Sequence, residues 1–108
     1  IFLQCLYYAR AHGKSWSLSS YRTDAGAEVD IVLDTGDRLI AIECKAGKSV
    51  SSTFFRGGRS LEQITKKPLE KILLYTGSSV QQFGPRENAV PFDVFLREWL
   101  PASEEGYA

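Results

Sequence analysis

The chain has 108 residues, the length of one domain, and its 44% hydrophobic and 24% charged content is that of an ordinary globular sequence. Thirteen Lys and Arg balance thirteen Asp and Glu, so no global field draws it to nucleic acid; such a partner needs a local patch or a metal. The opening apolar stretch, Ile1 to Ala9, is too short to span a bilayer, and its first positive charge follows it, which argues against a membrane or secreted protein and for the cytoplasm.

In chain order, Ile1–His12 reads as the end of a buried amphipathic helix stopped by Gly13. Trp16–Tyr21 alternates large and small side chains, as a strand does, and Asp24-Ala25-Gly26 is a turn. Glu28–Leu33 is a strand with acids at alternate positions, Asp34-Thr35-Gly36-Asp37 a hairpin turn, and Leu39–Lys45 a second strand, apolar until its last charged pair. Ala46–Gly58 is Ser- and Gly-rich and reads as a mobile loop. Ser60–Lys66 reads as a short helix capped by Ser60 and ended by Pro68. Lys71–Tyr75 suits a strand covered on both faces, Val80–Phe83 a weak edge strand, and Phe92–Leu100 a final amphipathic helix opened by Pro91. An acidic tail begins at Pro101.

The first three strands are close enough in sequence for an antiparallel meander. The stretch from Ala46 to Lys71 is long enough for a crossover that lays Ile72–Tyr75 parallel to Ile40–Cys44. The expected fold is α/β: a mixed sheet flanked by helices, with residues 1–108 as one domain. The absence of methionine and the apolar start suggest a domain cut from a longer protein. Cys5 and Cys44 form neither a disulfide framework nor a zinc spacing, and His12 has no second imidazole. The two cysteines are expected as buried, unpaired thiols, with Cys44 pointing away from Glu43 and Lys45 into the layer of Ile42.

Chemistry concentrates on the hairpin. Alternation places Glu28, Asp30 and Val32 on one strand face, and Glu43 with Lys45 on one face of the next. With Thr35-Gly36 as a two-residue turn, Asp30 faces Ala41 and Glu28 faces Glu43, so Asp30 lies diagonal to Glu43 at ~7–8 Å. A four-residue loop preserves that parity. Two carboxylates so placed suit a hard divalent ion such as Mg²⁺ or Mn²⁺, and the lysine can orient water or offset charge on phosphorus. The alternative from geometry alone is a solvated sheet face with a Glu–Lys pair.

These residues resemble a family. Val29-Asp30, followed after a hairpin by Glu43-Cys44-Lys45, is similar to the PD-(D/E)xK motif of restriction-endonuclease-like nucleases. The wider context, YRTDAGAEVDIVL and AIECKAGKS, resembles the C-terminal domain of uncharacterised function found in prokaryotic AAA-type ATPases. The similarity runs from about Tyr21 to Phe92. It implies a restriction-endonuclease-like αβββαβ core, with Asp30 and Glu43 as metal ligands, Lys45 as a catalytic residue and the main-chain carbonyl of Cys44 as a further ligand. It also implies Mg²⁺ or Mn²⁺ as cofactor, DNA as substrate through a local site, and the ATPase portion of a longer chain as partner. Two departures stand out: Val29 replaces the motif's proline, and Ile1–His12 holds no acid where this superfamily often carries a further metal-ligating glutamate.

Other features carry less. Gly47-Lys48-Ser49 imitates the end of a P-loop, but Ile42 stands where its first glycine is required. Arg56 and Arg59 can touch phosphates beside the site, although solvation is the commoner role. Lys66-Lys67 suits a helix dipole, Gln63 can face the site from the second helix, and Phe54 and Phe55 can stack bases or simply pack. His12 reads as a polar helix-end residue. Two functional readings follow: a metal-dependent nuclease domain acting on DNA and appended to an ATPase, or a catalytically silent interaction or regulatory module on the same fold.

Overall fold

The computed structural model describes residues 2–102. Helix α1 (Phe2–Ala11) leads into β1 (Ser17–Arg22), β2 (Glu28–Asp34) and β3 (Leu39–Cys44). A short 3-10 turn (Ser52–Phe55) and helix α2 (Arg56–Glu62) then carry the chain to β4 (Leu69–Tyr75), β5 (Gln81–Gly84) and β6 (Glu87–Pro91). Last come α3 (Phe92–Val94), a π-helical stretch (Phe95–Trp99) and α4 (Leu100–Ala102), which run on as one helix. The six strands form one sheet in the order β1-β2-β3-β4-β6-β5. β1, β2 and β3 are antiparallel, β4 is parallel to β3 and β6, and β5 closes the edge antiparallel to β6. The expected α-β-β-β-α-β order and mixed sheet are therefore present. Among the described residues no helix is long and apolar enough to cross a membrane.

Strand alternation divides the core in two. Ile31, Leu33, Ile40, Ile42, Ile72 and Leu74 meet Cys5 of α1 and Phe95 and Leu100 of the last helix. On the opposite face Val32, Ala41 and Leu69 meet Leu61 of α2, while Leu73 and Tyr75 meet Phe55. β4 lies at the centre, and all seven of its residues are buried. Each fully buried Leu or Ile contributes about 1.5–3 kcal/mol relative to exposure, so this strand anchors the sheet.

Four sequence expectations need correction. The β2–β3 pairing is Asp34 with Leu39 and Ile31 with Ile42, so the hairpin loop has four residues, Thr35–Arg38, rather than two. The Asp34 carboxylate accepts a bond from the Gly36 amide at 2.9 Å and is clamped by Lys67 at 2.9 Å, which stabilises the wider loop. The shift moves the β2–β3 pairing by an even number of residues, so the side chains paired from Ile31–Ile42 to Asp34–Leu39 keep their faces.

Helix α2 starts at Arg56 rather than Ser60, within the stretch expected as a loop, and Ser60 lies inside the helix, where it cannot be an N-cap. Two adjacent glycines are poor helix formers, but tertiary contact requires them here. A Cβ on Gly57 would stand 1.8 Å from the Glu28 carbonyl oxygen, and one on Gly58 2.8 Å from Lys71 Cγ. β6 was not expected. Its five residues are hidden by a terminal Pro91, yet Ala89 and Val90 are fully buried beside β4. Pro91 ends this strand and is also the N-cap of the last helix, which opens at Phe92 as expected and continues through Pro101 to Ala102. The remainder of the acidic tail lies outside the described residues.

Candidate functional site

The site forms where β2 and β3 end beside the N-terminus of α2. Pairing in β2–β3 runs from Asp34 with Leu39 to Ile31 with Ile42; continued by one residue it sets Asp30 beside Glu43, two residues off the register that made the pair diagonal. A bulge sharpens the placement. β1 pairs Ser19 with Val32 and then Tyr21 with Val29, so Asp30 and Ile31 together oppose Ser20. Bulges of this kind bend a strand and re-aim a side chain at its end. Here Val29 is left in the α2-side core, Ile31 in the other, and Asp30 exposed between them.

Asp30, Glu43 and Lys45 all line one cavity of about 290 Å³, together with Glu28, Cys44, Phe54 and Arg56. Asp30 Oδ2 accepts a hydrogen bond from the Cys44 amide at 2.9 Å, taking the place of a ladder carbonyl and fixing the carboxylate against β3. In an extended strand a residue's N–H and C=O point to the same edge, so the Cys44 carbonyl also lies on the Asp30 side.

Glu43 is half-buried, and its carboxyl is pushed up to about 8. Burial is the first cause, followed by a hydrogen bond and repulsion from Asp30, with Glu28 adding further repulsion. At neutral pH Glu43 therefore keeps a proton beside Asp30. The Lys45 ammonium sits over the Phe54 ring, 4.8 Å from its centroid, so an otherwise exposed lysine is held at the rim.

A pH prediction follows from Glu43. Its folded value lies above the ordinary 4.5, so between pH 4.5 and 8 the folded protein holds a proton that the unfolded chain releases. Stability from this group is complete below pH 4.5 and lost as pH rises through 8. Asp34 and Glu87, both held low by Lys67 and Arg59, lose their contribution only at more acid pH. Urea unfolding should find Glu43→Gln gaining on wild type from pH 5 to pH 9, by about 1–3 kcal/mol after discounting for solvent screening. Parallel pH profiles for the two proteins would show that Glu43 is not strained.

Other candidates separate. Cys5 is fully buried with its thiol pushed up to about 11, chiefly by burial, and is inert at neutral pH. Cys44 is half-buried rather than buried, is packed against the same core as Ile42, and like Cys5 is unpaired. His12 bonds the Tyr8 carbonyl at the end of α1. Lys67 pairs with Asp34 instead of a helix end, and Gln63 lies in a neighbouring groove, not in the Asp30 cavity. Phe55 is a core residue.

Arg59 makes a two-pronged bond to Glu87, 2.7 Å on each oxygen, and Lys71, almost wholly buried, joins Glu62 at 2.8 Å and Glu87 at 3.7 Å. That charge network escaped sequence reasoning because it joins α2 to β4 and β6, which are distant in the chain. Among the described residues no three of His, Cys, Asp and Glu side chains are grouped as a metal site would require. A cation here would draw on two carboxylates, a main-chain oxygen and ligands from outside the protein.

The fold and cavity define a class: a mixed α+β domain with two facing carboxylates and a lysine at the open end of a hairpin. Residues 1–95 match the model of a domain of unknown function, DUF4143, and the chain belongs to that family. Comparison with curated proteins finds no match.

Proposed function

We propose that this domain is a metal-dependent phosphodiester hydrolase of the PD-(D/E)xK type acting on DNA, appended to an AAA-type ATPase in the cytoplasm. The supporting observation is that Asp30, fixed to the Cys44 amide, lines one cavity with Glu43 and Lys45. Protonation of Glu43 fits a site that is short of positive charge: a divalent ion would displace that proton and relieve the repulsion from Asp30.

Oxygen donors without imidazole or thiolate favour Mg²⁺ or Mn²⁺, held by Asp30, Glu43 and the Cys44 carbonyl. When bound, the ion supplies Lewis-acid polarisation of the phosphoryl group. The Cys44 amide holds Asp30 in place. Lys45, steadied by Phe54, orients a water for attack and offsets the charge that grows on the phosphoryl oxygens.

One observation favours the silent-module reading: among the described residues the carboxylates that line the cavity all come from the hairpin, and Phe2–Ala11 of α1 adds none. Titrating Mn²⁺ while following the amide signals of Asp30, Glu43 and Cys44 separates the two. The nuclease reading expects a saturable shift that Asp30→Asn abolishes and the remote Glu98→Gln leaves intact. No saturable shift up to ~10 mM, well beyond the weak end of known divalent-ion modules, would favour the silent module.

A further inference from the structure

The two arginines of α2 have different situations. Arg59 is neutralised by its two-pronged bond to Glu87. Arg56, on the first turn of the same helix, has no carboxylate partner among the described residues. Among the described residues its hydrogen bond runs from Nη2 to the Ala25 carbonyl at 3.3 Å, which draws the guanidinium to the lip of the Asp30 cavity and leaves most of its five N–H donors without a partner there.

Arg56 also lines a second cavity of about 410 Å³ that continues along α2 past Thr53, Ser60 and Gln63. The two cavities share Thr53 and Arg56. Carboxylates gather on the hairpin side, at Glu28, Asp30 and Glu43, whereas no carboxylate lines the α2 side. The close approach of Gly57 to the Glu28 backbone maintains this arrangement by seating the start of α2 against β2.

We infer that Arg56 binds the phosphate next to the scissile one, and that the groove along α2 carries the sugar–phosphate backbone of a nucleic-acid strand away from the hairpin. The inference rests on the reading of Asp30 and Glu43 as the hydrolytic centre. An unneutralised guanidinium at the junction of two cavities matches a phosphodiester, which is anionic along its length and offers paired oxygens to a planar fork. Uncharged hydroxyls and an amide beyond it suit backbone contacts that carry no sequence information. Arg56 is thus a substrate-binding residue, and Arg59 a structural one.

The test is fluorescence anisotropy of a short labelled oligonucleotide, in DNA and RNA versions, with Ca²⁺ as the ion. Arg56→Ala should weaken binding about tenfold, the loss of one charge-assisted contact, and lower the slope of log affinity against log salt by about 0.7–0.9. Arg56→Lys should restore the slope but not the full affinity. Arg97→Ala, remote on the last helix, should change neither. A drop for DNA but not RNA, or the reverse, identifies the strand bound; equal drops identify phosphate recognition common to both.

Unchanged affinity and slope in Arg56→Ala overturn the inference, as does wild-type protein that binds neither oligonucleotide. The hydrolytic reading stands or falls separately. Loss of Mn²⁺ binding in Asp30→Asn supports it even where Arg56 proves irrelevant.

Discussion

Gly57→Ala should destabilise the protein by about 2–4 kcal/mol, at or beyond the upper end of overpacking substitutions. The new methyl would lie 1.8 Å from the Glu28 carbonyl oxygen and 2.6 Å from its carbon. Both are backbone atoms of β2, so neither can swing aside as a side chain would. Alanine's helix propensity returns only about 1 kcal/mol, less than the clash costs. The helix must therefore back away from the strand, carrying Arg56 with it and widening the cavity that holds Asp30 and Glu43. Gly58→Ala is the internal comparison, because its methyl would meet side-chain atoms of Lys71 at 2.8 Å and 3.0 Å instead of backbone at 1.8 Å, and it should cost less. Urea denaturation of both variants reads the difference. A Gly57→Ala protein as stable as wild type would mean that α2 does not rest on β2 as described.

Under the proposed hydrolysis, Lys45→Ala should lower the rate of phosphodiester cleavage by about 10²–10⁴-fold while leaving Mn²⁺ affinity unchanged or slightly improved. Removing the lysine cation beside two carboxylates does not weaken the proposed cation site. Lys45 is exposed apart from its contact with Phe54, so the loss should fall on kcat and not on folding. Rates measured at saturating Mg²⁺, with the melting temperature as control, separate these effects. Equal loss of metal affinity and rate would instead make Lys45 a structural neighbour of the carboxylates.

The legible parts of the molecule were those where a local pattern decides. Alternation in β2 and the apolar run of β3 revealed the hairpin, and the parity of Asp30, Glu43 and Lys45 survived an incorrect loop length because the error was even-numbered. The long crossover correctly implied the parallel pairing of β3 with β4. What stayed hidden depends on distant partners. The bulge at Asp30 arises from pairing with β1. The early start of α2 at two glycines reflects the nearness of Glu28 and Lys71, which overrides helix propensity. β6 exists because β4 offers it an edge, and nothing in Glu87–Pro91 alone marks a strand. The difference between Arg56 and Arg59 comes from Glu87, far along the chain.

Incubation of the protein with end-labelled DNA in Mg²⁺, and again in EDTA, tests the proposed hydrolysis most directly, with Asp30→Ala as the paired control. The arrangement of Asp30, Glu43 and Lys45 predicts cleavage by wild type in Mg²⁺, none in EDTA and none by Asp30→Ala. Cleavage that persists in EDTA or in Asp30→Ala, or its absence from folded, Mn²⁺-binding wild type, would contradict it.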